Sequence, residues 1–508
     1  MPRTLHILLA AAASVALSSC CFSSVQKHPA ETSGTTEAPA DAWPAMPVPG
    51  PAPSFTPPAA ERFTLSNGLP VTLVRAGQVP LFQVRLNVYT GTGDDPVGKS
   101  GLAGFVADML NEGTATRSAT ELSDQLQTLA SDVGFGADTD FSYAALEGLE
   151  DTLEPSLALF ADMIRNPSFP DEDLARVRTD RTNRLLTRRD QISNVAFDVF
   201  FRRLYGDTYA GRHDAGTPEE LAALTREDLL GWYASAWRPS NAGLVLVTRL
   251  ERDAVLPVLE EHFGTWMERD APTVQPLAAT PQPQQGRAIY WVDRPGSSQS
   301  FVILGNTAPG FDPERQTART LGNHPFGGQF TSRINMNLRE DKGYTYGARS
   351  RLMVWQRGGV FGTWASVKTA TTAASLTEFL TELDGLFGDR PVTDEEFGKS
   401  QSSMLQGYAG RFEGISGVLG EFAAADAVGR PAGWVEGYPA RVGSVTREVA
   451  TAAFAEIVSP ADLAMVIVGD WNAAGADVAA LGVADIQFLD DAGQPTEAPA
   501  PPAEEPTP

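Results

Sequence analysis

The sequence predicts an α+β protein of two tandem homologous domains, each a largely antiparallel sheet packed with helices. Three observations carry that expectation. First, motifs recur at nearly one offset: Asp171 and Asp394 stand 223 residues apart, Thr225-Arg-Glu and Thr446-Arg-Glu 221 apart, and Pro239 before Leu244-Val-Leu-Val and Pro460 before Met465-Val-Ile-Val again 221 apart. Second, strand and helix signals mix within each unit. Third, a Pro/Gln-rich stretch, APTVQPLAATPQPQQ, separates the units and reads as a linker over 271–285.

The N-terminus reads as an export signal over 1–19. Arg3 supplies a positive charge, and Leu5 to Leu17 form an apolar run too short to span a bilayer. Leu17-Ser18-Ser19-Cys20 resembles the lipobox of bacterial lipoproteins, with lipidation expected on Cys20; an ordinary signal peptide is the alternative. Cys20 and Cys21 are the two cysteines of the chain. The absence of Asp at position 21 favours the periplasmic side of the outer membrane. Residues 20–60, rich in Pro, Ala, Ser and Thr, read as a tether. The first domain is expected over 61–270, the second over 286–490, and a disordered Pro/Glu tail over 491–508.

In the first unit, Phe63 to Val74 reads as a hairpin around Asn67-Gly68, and Gln83 to Tyr89 as the next strand. Gly101 to Thr114, GLAGFVADMLNEGT, places Leu102, Phe105, Val106, Met109 and Leu110 at helical spacing. Thr217-Pro-Glu-Glu starts a helix with Pro at its first position and Glu220 closing a capping box. Thr225 starts the next helix, and Leu244 to Val247 is a buried strand. In the second unit, Ser332 or Thr331 caps a helix running to about Lys342, Gly343 suits its C-terminal end, and Tyr344 to Val354 alternates as a strand. Gly327 and Gly328, in His324-Pro-Phe-Gly-Gly, are expected to permit close backbone packing.

With 63 acidic and 39 basic residues in 508, the net charge of −24 excludes nucleic acid as a partner. The acidity is read as solubility, with a preference for basic peptides as the sharper alternative.

The helix at Gly101–Thr114 resembles the zinc-site helix of the insulinase-like (M16, pitrilysin) metallopeptidases. In that family the same frame carries His-x-x-Glu-His: two imidazoles one helical turn apart bind zinc and the Glu takes a proton from the bound water. Here those positions are Gly104, Ala107 and Asp108. The resemblance places Arg184, within a few residues, where the family has its third ligand. Of the five histidines, His6 and His28 precede the globule, and His213, His262 and His324 are far apart in sequence. The chain alone is therefore expected to bind no zinc and to catalyse nothing.

Gly327 to Ala348 closely resembles the second-domain signature of the same family. The resemblance implies that Arg339 and Tyr346, seven residues apart, reach a catalytic zinc held by another chain and steady the substrate backbone; both are donors suited to a carbonyl or its oxyanion. Tyr344 has the wrong spacing. The family likeness thus implies a zinc-less subunit that pairs with a zinc-bearing M16 subunit, binds unfolded peptides by strand addition to a sheet edge, and is anchored to the membrane by lipid. A binding or scaffold lipoprotein of the cell envelope with no role in proteolysis is the alternative.

Overall fold

The computed structural model describes residues 55–499 except 213 and 283; the signal, Cys20 and most of the tether lie outside them. Two six-stranded sheets organise this region. The first comprises β1 (Ala60–Thr64), β2 (Pro70–Arg75), β3 (Leu81–Val88), β4 (Asp132–Ala137), β5 (Ser142–Leu149) and β6 (Ala242–Thr248), in the order β1-β2-β6-β3-β5-β4. The second comprises β7 (Ala288–Asp293), β8 (Gln299–Ala308), β9 (Thr345–Val354), β10 (Gly359–Lys368), β11 (Ala464–Gly469) and β12 (Asp485–Leu489), in the order β12-β7-β11-β8-β10-β9. Most neighbours are antiparallel; β2–β6, β7–β11 and β7–β12 run parallel.

The predicted α+β class and the duplication are both visible in the register. Val71 and Leu86 flank Leu244 in the first sheet, and Ile289 and Leu304 flank Met465 in the second. All six side chains are buried. The two sheets differ at one edge. β1 enters through the hairpin that Asn67-Gly68 allows, with Gly68 at φ +92°, whereas β12 arrives from the far end of its unit and lies parallel to β7.

Each sheet buries one face against helices of its own unit and the other against a helix of its sibling. The helix Ile192–Tyr205 of the first half packs Val195, Val199 and Phe200 on Tyr290, Ile303 and Val466 of the second sheet. Reciprocally, Ile415–Ala427 packs Ile415, Val418 and Phe422 on Val74, Val245 and Val247 of the first. Burial on both faces explains why β6 and β11 read as continuous apolar runs. Polar anchors fix the exchange: Asn87 donates to Ala423 O at 3.0 Å and to Asp426 at 2.8 Å, and the Tyr205 hydroxyl both accepts from Gly359 N–H at 2.9 Å and donates to its carbonyl at 2.8 Å.

Capping boxes start the helices at Thr217, Thr225 and Thr393, and Thr446 caps its own. The helix expected over Gly101–Thr114 is shorter, Leu102–Met109. Gly113 takes φ +120°, and Gly113 and Thr114 bridge to Ser118 and Pro167, which turns the chain out of the helix. No regular element lies between Thr265 and Ala288 among the described residues.

Candidate functional site

The helix Leu102–Met109 is held from its N-terminus by a buried carboxylate. Asp95 accepts the main-chain N–H groups of Gly101, Leu102 and Ala103 at 2.8, 3.0 and 2.9 Å, the donors that a helix leaves free at its start. Burial raises the Asp95 carboxyl to about 8, opposed by these N–H groups and by Arg212. Gly101 sits at φ +88°, and a Cβ there would lie 2.6 Å from the Ala215 carbonyl, so the approach requires glycine.

Along this helix Gly104 and Asp108 share a face, and the helix Asp171–Arg189 lies against it. Arg181 crosses from that neighbour. Its guanidinium fills the space above Gly104, where an added Cβ would come within 2.7 Å of a terminal nitrogen. It donates to Asp108 at 2.8 Å, and Arg184 donates to the same carboxylate oxygen at 2.6 Å. Arg181 is 11% exposed and Arg184 64%, so the first pairing is inside the protein and the second at its surface. One turn beyond, Arg176 pairs with Glu112. Ala107 is buried. The residues present do not fit zinc: one carboxylate remains, two cations already claim it, and a third cation would be repelled. Among the described residues no cluster of three or more His, Cys, Asp or Glu side chains is placed to hold a metal.

Arg181 was not singled out from the sequence, which pointed to Arg184. The two are three residues apart on one helix face, and the spacing of Arg178, Arg181, Arg184 and Arg188 is the pattern that signals an arginine stripe.

The second candidate lies elsewhere. Ser332 stands at the helix start and Gly343, at φ +65°, at its end. Arg339 leans over the Phe330 ring at 4.7 Å and pairs with Glu340 at 3.2 Å. Tyr346, the second residue of β9, is 91% exposed. Tyr344 instead packs against the second core. Gly327 presses on β9, where a Cβ would lie 2.4 Å from the Ser350 hydroxyl. Arg339 and Tyr346 both line a cleft of about 740 Å³ whose walls are drawn entirely from residues between Gln316 and Tyr438. The helix carrying Gly104, Ala107 and Asp108 contributes nothing to it. His324 lines the same cleft, and burial lowers its imidazole to about 4.

The two sheet edges nearest these sites differ. β4 pairs with β5 alone. β9 likewise pairs with β10 alone, but there Asn335 accepts from Ala348 N–H at 3.1 Å and Asn323 donates to Ser350 O at 3.2 Å, so side chains already occupy part of that edge.

Comparison with known proteins agrees with this architecture. Residues 71–217 match the family model described as insulinase (peptidase family M16), and residues 223–404 match the peptidase M16 inactive domain. An uncharacterized zinc protease of Mycobacterium leprae is 25% identical over 347 residues, covering 68% of this chain and 77% of that protein. One of Streptomyces coelicolor is 23% identical over 348 residues, covering 68% and 75%. A peptidase M16 inactive domain from Pseudomonas fluorescens superposes with a TM-score of 0.74 at 23% identity, over 81% of this chain and 98% of that one. A protease from Helicobacter pylori gives 0.75 at 20% identity, over 81% and 99%.

Proposed function

This chain belongs to the M16 peptidase family, and from that premise we propose that it is a non-catalytic subunit which binds peptide and lends Arg339 and Tyr346 to a zinc-bearing M16 partner. The observation that carries the reading is a separation. The helix face where the family places its metal is closed by the Arg181–Asp108 pair, while Arg339 and Tyr346 stand on a cleft that this helix does not reach. A complete site therefore needs a zinc helix from a second chain. Relatives named zinc proteases match 68% of this chain in sequence, and zinc is expected in the partner subunit, not here.

Unfolded peptide would enter by strand addition. β4 is the edge suited to it: its outer side is paired to no strand, and, unlike β9, its backbone takes no side-chain hydrogen bond among the described residues. Lipidation at Cys20 would hold the pair at the periplasmic side of the outer membrane. An Arg fork and a phenol at the scissile carbonyl act where charge develops, and losing one such donor costs about 10²–10³ in kcat.

The test is reconstitution with a zinc-bearing M16 subunit. Arg339→Ala and Tyr346→Phe should each lower kcat by about 10²-fold, with the complex still assembling. Unchanged turnover in both variants would leave the chain as a binding or scaffold lipoprotein.

A further inference from the structure

The cleft that carries Arg339 and Tyr346 has a charge opposite to that of the chain. Six of its lining residues belong to the Asp, Glu, Lys and Arg class; five are arginines, 339, 349, 351, 411 and 430, and the sixth is Glu421. This occurs in a protein whose acids outnumber its bases 63 to 39. Glu421 pairs with Arg411 at 3.1 Å and its charge also reaches Arg430, and Arg339 is paired with Glu340 at 3.2 Å. Arg349, Arg351 and Arg430 form no ion pair among the described residues, where most other arginines do.

Their settings differ in a useful way. Arg349 and Arg351 are exposed, at alternate positions of β9, so they leave one face of the strand about 7 Å apart. That is also the separation of alternate side chains in an extended peptide. Arg430 lies deeper, against the edge-on Phe311–Trp434 ring pair at 5.6 and 5.5 Å from the two centroids, with a buried Nε that has no hydrogen-bond acceptor. Tyr408 and Tyr438, stacked at 4.1 Å, complete that wall. Unpaired guanidiniums beside aromatic faces favour planar anions, because an Arg fork matches a carboxylate with two parallel hydrogen bonds. The long-range field of an acidic protein would repel such a ligand, so local contacts must supply the selectivity.

We propose that this cleft is an anchoring site for acidic peptide segments, with Arg349, Arg351 and Arg430 receiving the carboxylates of an extended chain. The site deepens the peptide-binding role proposed above and rests on it. It reverses the preference for basic peptides that the overall charge suggests.

The test needs only the purified full-length chain and fluorescein-labelled peptides of about a dozen residues, read by anisotropy. One peptide carries Glu at alternate positions and an amidated C-terminus. A second carries Gln there and a free C-terminal carboxylate. A third carries Lys and an amide. The Glu peptide should bind at least tenfold tighter than the Lys peptide, and should weaken as salt rises. Arg349→Ala with Arg351→Ala, both at exposed positions, should abolish that tenfold advantage, and the paired Lys replacements should restore part of it. Preferential binding of the free-carboxylate peptide would support the site and assign its anion to a chain terminus. Equal binding of the Glu and Lys peptides, or an undiminished advantage in the double Ala variant, would overturn it. Turnover by the reconstituted pair reads Arg339 and Tyr346 separately, so failure of one proposal does not imply failure of the other.

Discussion

Removing the Asp108 carboxylate should expose what it neutralises. Asp108 receives Arg181 at 2.8 Å and Arg184 at 2.6 Å. Loss of the exposed Arg184 pairing costs about 0.2–1 kcal/mol. Arg181, 11% exposed, would lose its counterion, and stripping one partner from a buried pair costs about 3–5 kcal/mol. That figure is reduced here because Asp108 is itself 25% exposed and the Gly101 carbonyl stays 3.4 Å from Arg181. Asp108→Ala should therefore destabilise by about 2–4 kcal/mol. With about 2 cal/mol/K of unfolding entropy per residue, that is a fall of only about 2–4 °C in Tm for a globule of this size. Thermal denaturation followed by circular dichroism measures it, with Arg184→Ala as the surface control at under about 1 kcal/mol. The decisive member is the double variant. Asp108→Ala with Arg181→Ala should be more stable than Asp108→Ala alone, because no unpaired cation remains inside. If the double variant were the less stable, the claim that Arg181 and Asp108 form a mutually compensating plug would be wrong.

Further expectations concern the same regions. Restoring the family motif through Gly104→His, Ala107→Glu and Asp108→His should not restore stoichiometric zinc, because Arg181 occupies the space above residue 104; adding Arg181→Ala should raise the zinc content found by metal analysis. His324 has a native pKa of about 4 against an ordinary 6.5. The unfolded chain therefore binds a proton that the native one lacks as pH falls from 6.5 toward 4, and stability declines across that window by up to about 3 kcal/mol. His324→Gln should flatten the decline in denaturant titrations at pH 7 and pH 4.5. Tyr205→Phe strands both the N–H and the carbonyl of Gly359 and should cost about 1–3 kcal/mol in unfolding free energy.

Much of the fold was legible because local signals and burial agree. The Asn67-Gly68 turn, the capping boxes at Thr217 and Thr225 and the apolar runs at Leu244 and Met465 each have a cause within a few residues. The helix end near Met109 was overestimated: Leu110 continues the apolar spacing, and it is the bridges to Ser118 and Pro167 that turn the chain away. At the site, the residues at 104, 107 and 108 could be read from a short motif frame. Arg181 could not, because its role comes from a neighbouring helix some seventy residues away that sets which arginine faces Gly104. The basic cleft was equally hidden. Arg349 and Arg430 are distant in sequence and come to one cleft only because the fold sets β9 and the Tyr408–Tyr438 wall on its two sides, while a net charge of −24 pointed the other way.

The traded helices constrain how such a molecule can move or be divided. Ile192–Tyr205 seals the sheet of the second half and Ile415–Ala427 seals that of the first. Cutting the gene at the linker would strip an apolar face from both products, and each would emerge with exposed valines and aromatics instead of an independent fold. The same braid denies the chain a hinge between its halves. If these proteins open and shut around a peptide, the jaw is a whole subunit, and the joint belongs to the seam between two polypeptides.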